Sequence, residues 1–174
     1  GEIGPVDVQS RNGVIDLIAE DEAHATQLAK QVLSCFQGKL TDWQCADQVP
    51  LNTALPEDRR YVYDVRKIIT TLFDRGSFLE LKPNFGTALI TGFARLEGKP
   101  VAILCNDCKI LGGAIDGEAA SKAASFLELC NNFQIPLIAL ADTPGFMVGP
   151  DSEATGAVRK MSELFIAGAQ FSAP

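Results

Sequence analysis

The sequence predicts an α/β fold in which at least part of the sheet is parallel. An alternating apolar stretch at residues 87–96 is followed by a Glu-Gly-Lys turn and a second apolar stretch at residues 100–105. This pattern is typical of an antiparallel hairpin. Helix and strand patterns then alternate along the chain, and a helix between two strands is the connection that parallel pairing requires.

The first part of the chain predicts a strand, a helix, a long connection and a second helix. Apolar residues at 14–18 suggest a short strand, and the acidic group Glu20 to Glu22 suits the positive start of a helix. The apolar face of that helix is predicted to hold Leu28, Ala29, Val32, Leu33 and Phe36, with Gly38 as its stop. Residues 39–60 are predicted to be irregular, and residues 62–74 to form the second helix.

The second part predicts a short strand at residues 78–81, the hairpin, and two helices around one further strand. A loop with Gly112, Gly113 and Gly117 leads to a helix at residues 118–132. A strand at residues 136–141 and a helix at residues 152–169 follow. Either Asp151 or Ser152 is a candidate cap for this last helix. Its inward face is predicted to hold Ala154, Val158, Met161 and Phe165.

The segment LIALADTPGFMVGP at residues 137–150 is the most informative part of the chain. A buried strand ends at an acid, Asp142, and breaks into a loop that contains Gly145 and Gly149. Glycines let backbone N–H groups approach a ligand closely. The chain has a single histidine, so side chains that commonly act as catalysts are scarce. A GTPase-like switch is excluded because no GxxxxGK[ST] motif accompanies the Asp-x-x-Gly element.

Composition limits the classes of partner. The chain has 174 residues, 47% of them hydrophobic, and a net charge of −7, which argues against nucleic acid or an anionic membrane as the main partner. Five cysteines in largely apolar surroundings suggest reduced intracellular thiols. The pair Cys105 and Cys108 lacks the second pair that a zinc site needs, so no metal is expected. The expected location is the cytoplasm, or the mitochondrial matrix in a eukaryote, and no signal peptide is expected.

Four motifs in order carry a resemblance to a known family: YDVR, FLELKPNFGTALITGFARL, SKAASFLELC and DTPGFMVG. The chain resembles the C-terminal half of biotin-dependent acyl-CoA carboxyltransferases, the β subunits of acetyl-, propionyl- and methylcrotonyl-CoA carboxylases. The resemblance implies a crotonase-like spiral of ββα units that is truncated at its C-terminus. It assigns residues 55–174 to a partial carboxyltransferase domain and residues 1–54 to a linker with a strand and a helix.

The resemblance also implies the reaction and its partners. A carboxyl group passes from N-carboxybiotin to the α carbon of an acyl-CoA, and the biotin is attached to a separate carrier domain. A biotin carboxylase and further copies of the chain are the other implied partners. Two oxygens that gain negative charge can both be stabilised by backbone N–H groups, so the reaction suits a site that is poor in acids and bases.

The resemblance places Gly145, Phe146 and Gly149 on the biotin side of the pocket and makes Gly112 and Gly113 possible loop donors. A tight turn is the simpler explanation of these glycines. Asp116 and Lys122 are interpreted as a helix cap and a surface residue, and the YDVR residues as either structural or substrate-contacting. The family often has Asn-x-Pro where this chain has Asn106, Asp107 and Cys108.

Three functions follow from these patterns. The first is the carboxyltransferase of an acyl-CoA carboxylase, although the chain alone is expected to be inactive because the acyl-CoA half and a downstream glycine motif lie outside it. The second is a decarboxylase or transcarboxylase subunit with the same fold. The third is a non-catalytic module for assembly and for docking of the carrier domain.

Overall fold

The computed structural model describes residues 3–58 and 61–174, where six α-helices surround one four-stranded sheet. The helices are α1 (Val6–Arg11), α2 (Glu22–Ser34), α3 (Val65–Leu72), α4 (Gly117–Asn132), α5 (Pro150–Ala154) and α6 (Ala157–Gln170). The strands are β1 (Leu79–Leu81), β2 (Leu89–Leu96), β3 (Lys99–Asn106) and β4 (Leu137–Leu140). Short 3₁₀ helices cover Val49–Thr53 and Leu111–Gly113.

The sheet has the strand order β1-β2-β3-β4. The first two pairings are antiparallel, and β3 pairs with β4 in parallel. Helix α4 makes the crossover between β3 and β4, so the predicted hairpin followed by a parallel unit is confirmed. The parallel ladder runs from the pair Ala102 and Leu137 to the pair Cys105 and Leu140.

Helices cover both faces of the sheet, so the sheet is buried on both sides and its strands are largely apolar. On one face, Val65 and Ile69 of α3 pack on Ile90 and Ile103. On the other face, α4 packs on Phe93 through Phe126, and the inner side of α2 closes the same cluster. Helix α6 packs on α4 through small side chains, which lets the two helices approach closely.

The predicted strand at residues 14–18 is wrong. These residues have no ladder partner, and only Leu17 of the apolar group packs on the core. Val14 and Ile18 are exposed, which explains why an apolar run at this place does not make a strand. The following helix is confirmed as α2, with Asp21 accepting a hydrogen bond from the His24 N–H at its start. However, Ala29 and Leu33 are exposed, so they do not belong to the inner face as predicted.

The predicted helix at residues 152–169 is two helices, α5 and α6. Gly156 has φ 69°, a left-handed conformation that interrupts the helix and changes the direction of its apolar face. Buried residues of α6 are therefore Ala157, Met161 and Ala167, whereas Val158 and Phe165 of α6 and Ala154 of α5 are exposed, contrary to the prediction. The predicted side-chain cap at Asp151 or Ser152 is also wrong, because Gly149 is the N-cap of α5.

Other predicted boundaries differ by a few residues. Asp64 accepts a hydrogen bond from the Arg66 N–H, so α3 begins at Val65 rather than at residue 62. The predicted irregular segment 39–60 contains the 3₁₀ helix at Val49–Thr53, and its last two residues lie outside the described residues. No helix in the described ranges is long and apolar enough to cross a lipid bilayer.

Candidate functional site

The two parallel strands end together and open a crevice between their following loops. The β3–β4 ladder ends at Cys105 and Leu140. We define the post-β3 loop as residues 107–116 and the post-β4 loop as residues 141–149. In open α/β sheets, ligands bind in crevices at the carboxyl ends of the strands. The sequence motifs with glycine therefore converge at the edge of the sheet where a binding site is expected.

A cavity of about 500 Å³ opens at this edge. Its lining combines the segment that precedes α3 with both loops: Leu55, Pro56, Tyr61, Val62, Tyr63, Cys108, Gly112, Ala141 and Asp142. Apolar side chains and polar atoms contribute about equally to its surface, so the cavity can contact both the apolar and the polar parts of a small molecule. Of the five glycine-loop residues named from the sequence, the lining includes Gly112. Gly145, Phe146 and Gly149 lie further along the post-β4 loop.

Tyr63 connects the YDVR motif to the post-β4 loop. Its hydroxyl donates a hydrogen bond of 2.7 Å to Oδ2 of Asp142. Burial and the neighbouring Asp142 carboxylate raise the pKa of Tyr63 well above its usual range. The phenol therefore keeps its proton at neutral pH and serves as a hydrogen-bond donor rather than as a base.

The post-β3 loop contains two consecutive glycines in left-handed conformations. Gly112 has φ 62° and Gly113 has φ 84°. A Cβ atom on Gly113 would lie 2.4 Å from the carbonyl oxygen of Asp142, so the two loops touch at this point. The N–H of Gly113 donates to the carbonyl of Ile110 and thereby holds the turn. No atom lies within 4 Å of where a Cβ would stand on Gly112, and the residue lines the cavity.

The post-β4 loop pairs with the end of the post-β3 loop through one parallel bridge between Ile115 and Phe146. Ile115 donates to the Gly145 carbonyl over 3.0 Å, and Met147 donates to the Ile115 carbonyl over 2.8 Å. In this pattern the N–H of Phe146 points away from Ile115. The Gly145 N–H donates to Oγ1 of Thr143 over 3.0 Å.

The post-β4 loop has glycines in unusual backbone conformations directly before Phe146 and three residues after it. Gly145 has φ 121°, and Gly149 has φ 123° and ψ 169°, conformations that other residues rarely adopt. No atom lies within 4 Å of where a Cβ would stand on either residue. The loop therefore has open space beside its backbone, and the ring of Phe146 packs against Phe165 of α6 with 5.3 Å between ring centres.

An ion-pair network anchors the post-β3 loop to the body of the domain. Arg66 donates two hydrogen bonds to Glu80, of 2.8 and 2.7 Å, and one of 2.6 Å to Asp107. The carboxylate partners raise the pKa of Arg66, Glu80 being the larger influence. Lys109 lies 3.0 Å from the carboxylate of Asp64, which lowers the pKa of that acid. Arg66 thus has a structural role in this chain.

Lys122 is buried, contrary to its interpretation as a surface residue. Its Nζ donates to the carbonyls of Lys82 and Leu89 over 2.9 and 2.8 Å. Only 2% of the residue is exposed, and desolvation lowers its pKa to about 8. The interpretation of Asp116 as a cap is confirmed, because its carboxylate accepts the Ala119 N–H over 2.8 Å.

Comparisons with known proteins identify the family. The family model for the carboxyl transferase domain matches residues 3–174. The chain belongs to the carboxyl transferase domain family. A solved single-chain, multi-domain long-chain acyl-CoA carboxylase is 50% identical, with a TM-score of 0.97 over 99% of this chain and 18% of that protein. The transcarboxylase 12S structure, a hexamer with methylmalonyl-CoA bound, has a TM-score of 0.90 at 32% identity and covers 99% of this chain and 35% of that one.

Curated relatives support the same assignment to the carboxyl transferase domain family. The biotin-dependent acetyl-/propionyl-CoA carboxylase beta6 subunit of Mycobacterium tuberculosis is 35% identical over 98% of this chain and 37% of its own length. The methylmalonyl-CoA carboxyltransferase 12S subunit of Propionibacterium freudenreichii is 33% identical over 94% of this chain and 33% of its own. The chain thus spans about a third of these relatives. The predicted crotonase-like fold and family are confirmed.

The sequence did not lead to the prediction of two features of this carboxyl transferase domain, the bond between Tyr63 and Asp142 and the burial of Lys122. The bond between Tyr63 and Asp142 joins residues that are 79 positions apart, so no local pattern indicates it. The burial of Lys122 could have been predicted, because it lies three residues after Ala119 and four before Phe126, both on the inner face of α4.

Proposed function

We propose that this chain is part of a carboxyltransferase that moves a carboxyl group from N-carboxybiotin to the α carbon of an acyl-CoA. The observation that carries the proposal is the similarity to the single-chain long-chain acyl-CoA carboxylase, at 50% identity over 99% of the chain. The two loops at this edge of the sheet support it, because their glycines leave open space beside the backbone. Carboxyl transfer needs stabilised oxygens more than it needs a strong base.

In this proposal the post-β4 loop forms the biotin side of the site, with Gly145, Phe146 and Gly149 as its contacts. Biotin on a carrier domain supplies the carboxyl group. The loop fits a small planar ring because Gly145 and Gly149 leave open space beside the backbone. The N–H of Phe146, directed away from Ile115, is a donor for a polar ligand atom. Such a donor stabilises an oxygen that gains charge by about 2.7–4 kcal/mol.

Gly112 and Gly113 form the second element of the proposed site. The N–H of Gly113 keeps the turn closed by binding Ile110, so we assign the donor role to Gly112, which faces the cavity. Tyr63 holds its proton and fixes the start of the post-β4 loop through Asp142. These residues would position the reacting groups and polarise their oxygens. None of their side chains is proposed to take the proton that leaves the α carbon of the substrate.

We propose the domain division at residue 55, with residues 55–174 as part of the C-terminal carboxyltransferase half and residues 1–54 as a linker. The linker packs closely on that half, since Leu28, Val32 and Phe36 contact the core cluster of Phe93 and Phe126. The complete enzyme would include an acyl-CoA-binding half, which this chain does not contain, and this chain alone would then be inactive.

The proposed partners are an acyl-CoA, a biotin carboxyl carrier domain, a biotin carboxylase and further copies of the subunit. Exposed apolar side chains support an assembly role: Val148, Val158, Phe165 and Ile166 are each more than half exposed. Large exposed apolar side chains of this kind are typical of surfaces that contact another protein. The proposed location is the cytoplasm or the mitochondrial matrix, where biotin carboxylases and acyl-CoA occur together.

A transcarboxylase is the second candidate function. The 12S subunit of Propionibacterium freudenreichii, named as a methylmalonyl-CoA carboxyltransferase, is 33% identical to this chain. Its reaction would use the same edge of the sheet, with a different final acceptor for the carboxyl group. The higher identity to the long-chain acyl-CoA carboxylase, 50%, favours the carboxylase.

The experiment uses the complete protein that contains this chain. Carboxyl transfer from malonyl-CoA, methylmalonyl-CoA and a long-chain 2-carboxyacyl-CoA to free biotin is measured as the reverse half-reaction. We expect transfer from at least one donor, and the long-chain donor should be preferred if the substrate resembles that of the long-chain acyl-CoA carboxylase. Preference for methylmalonyl-CoA together with transfer to a keto acid acceptor would favour the transcarboxylase. If the protein is folded but transfers no carboxyl group from any donor, both enzymatic functions are contradicted. The non-catalytic assembly module would then be the remaining function.

A further inference from the structure

Asn106 occupies the point at which the two parallel strands separate. It is the last residue of β3, one position after the final ladder pair of Cys105 and Leu140. On its other side it still pairs with Leu89 of β2. The residue is 5% exposed, although its side chain is a polar amide. A buried amide has to be hydrogen-bonded, so its partners indicate what the residue does.

The Asn106 side chain joins the two loops of the candidate site. Its Nδ2 donates to the carbonyl of Gly113 over 3.0 Å, and its Oδ1 accepts the N–H of Asp142 over 3.3 Å. Both partners are backbone groups, one in the post-β3 loop and one in the post-β4 loop. A primary amide carries a donor and an acceptor on one plane, which a carboxylate or an aliphatic side chain does not. Asn106 therefore continues the ladder where backbone pairing stops.

The two loops are in close contact at this junction. Gly113 approaches Asp142 so closely that a Cβ would lie 2.4 Å from the Asp142 carbonyl oxygen. The same two residues are the ones that Asn106 bridges. Gly112 precedes this contact, and Gly145 follows it by three residues. This junction therefore joins the proposed donor turn to the start of the post-β4 loop, and the bridge between Ile115 and Phe146 joins the same two loops further along.

We propose that Asn106 is a positioning residue for carboxyl transfer, acting through the backbones of Gly113 and Asp142. This inference rests on the proposed function. Asn106 lines neither the cavity nor the space beside Gly145, so it does not act on the reacting atoms itself. Its contribution is to hold two sets of backbone groups in register, and a displacement of about 1 Å in such a site can cost about 100-fold in rate.

The test uses the complete carboxyltransferase with Asn106→Asp and Asn106→Ala. Asn106→Asp keeps the shape and the acceptor for Asp142 but places a carboxylate oxygen against the Gly113 carbonyl. Thr91→Val is the matched control, because Thr91 is equally buried in β2 and its hydroxyl donates to the Leu81 carbonyl over 3.2 Å, away from both loops. We measure kcat and KM for carboxyl transfer to free biotin, together with hydrogen exchange of peptides covering residues 107–116 and 141–149.

We expect kcat to fall about tenfold or more in both Asn106 variants, with the KM of the acyl-CoA changed less than about threefold. Hydrogen exchange should rise in both loops together, and Thr91→Val should change neither. If Asn106→Ala does not fold, the kinetics and hydrogen exchange of Asn106→Asp alone test the inference. A kcat within about twofold of the wild type, or exchange that rises in one loop alone, would overturn the inference. A wild-type enzyme without carboxyl transfer would instead overturn the proposed function, and with it the catalytic meaning of the junction.

Discussion

The hydroxyl of Tyr63 donates a 2.7 Å hydrogen bond to Asp142 and so closes one side of the cavity at the carboxyl end of β4. The bond joins the segment before α3 to the first residues of the post-β4 loop. Asp142 is held at the same time by its backbone N–H, which donates to Asn106. The start of the glycine loop is therefore fixed from two directions, by a phenol and by a buried amide.

Tyr63→Phe should loosen the post-β4 loop without disrupting the core. The variant loses one hydrogen bond at a partly exposed position, so we expect a decrease of about 0.5–1.5 kcal/mol in the free energy of unfolding. Urea denaturation measures this change, and hydrogen exchange should increase in residues 141–149. Tyr61→Phe is the control, since Tyr61 is 69% exposed. Equal effects in the two variants would contradict the assigned role of the bond.

Gly113→Ala should be more destabilising than Gly38→Ala. Both glycines have φ 84°, so both variants suffer the same backbone strain of about 1–2 kcal/mol. A Cβ on Gly113 also meets the Asp142 carbonyl at 2.4 Å, whereas nothing lies within 4 Å of a Cβ on Gly38. Urea denaturation measures the free energy of unfolding of both variants. The difference between them reports the steric clash with Asp142, because the backbone strain is common to both. Equal losses of stability would show that the two loops do not touch as described.

Arg66→Lys should cost stability although the charge is retained. A lysine cannot make the paired hydrogen bonds to Glu80 and also reach Asp107, which is buried. We expect a loss of about 1–3 kcal/mol in the free energy of unfolding. Arg11→Lys is the control, because the pair between Arg11 and Asp7 is exposed and should change by less than about 0.5 kcal/mol. A loss in Arg66→Lys as small as that of the control would contradict the anchoring role.

The buried Lys122 makes the free energy of unfolding depend on pH. Burial lowers its pKa from 10.5 to about 8, so between these values the unfolded chain binds a proton that the folded chain has lost. The free energy of unfolding therefore rises with pH through this window, by at most about 1.4 kcal/mol per pH unit. A neutral amine keeps two N–H donors for the carbonyls of Lys82 and Leu89.

The measurement compares urea denaturation of the wild type and Lys122→Met from pH 7 to pH 10. The difference between the two should grow in favour of the wild type above pH 8. Burial also raises the pKa of Cys105 and Cys130 to about 12, which lowers stability above their ordinary value of 9.0 as the unfolded thiols ionise. Both proteins carry these cysteines, so that contribution cancels. Parallel pH curves would contradict the lowered pKa of Lys122.

Local patterns were sufficient to predict the hairpin and the helix α4. β2 and β3 are two apolar stretches joined by a Glu-Gly-Lys turn, and Asp116 marks the start of α4. The inward face of α6 was mispredicted for two physical reasons. Gly156 interrupts the helix, and the close packing of α6 on α4 selects the small residues Ala157 and Ala167 rather than Phe165. Side-chain size at a helix contact depends on the partner helix, which a single periodicity does not describe.

The site was only partly predictable. Glycine content and strand ends indicated both loops, because these signals are local. The interactions that hold the loops together are not local: Asn106 reaches Asp142 across 36 positions, and Tyr63 reaches it across 79. In the sequence, Asn106 stands out because the family often has Asn-x-Pro here, whereas this chain has Cys108 at the position of the proline. Its role depends on strand separation, which becomes visible once β3 and β4 are paired.

The central claim is that the post-β4 loop forms the biotin side of a carboxyltransferase. The most direct test of this claim is the KM for free biotin in Gly149→Ala. The complete enzyme is compared with Gly156→Ala, since both glycines have positive φ and open space beside them, and Gly156 lies outside the loop. We predict a KM for biotin raised about tenfold, equivalent to 1.4 kcal/mol of binding, in Gly149→Ala alone. The KM for the acyl-CoA should be unchanged. An unchanged KM for biotin in Gly149→Ala, or an equal rise in both variants, would contradict the account.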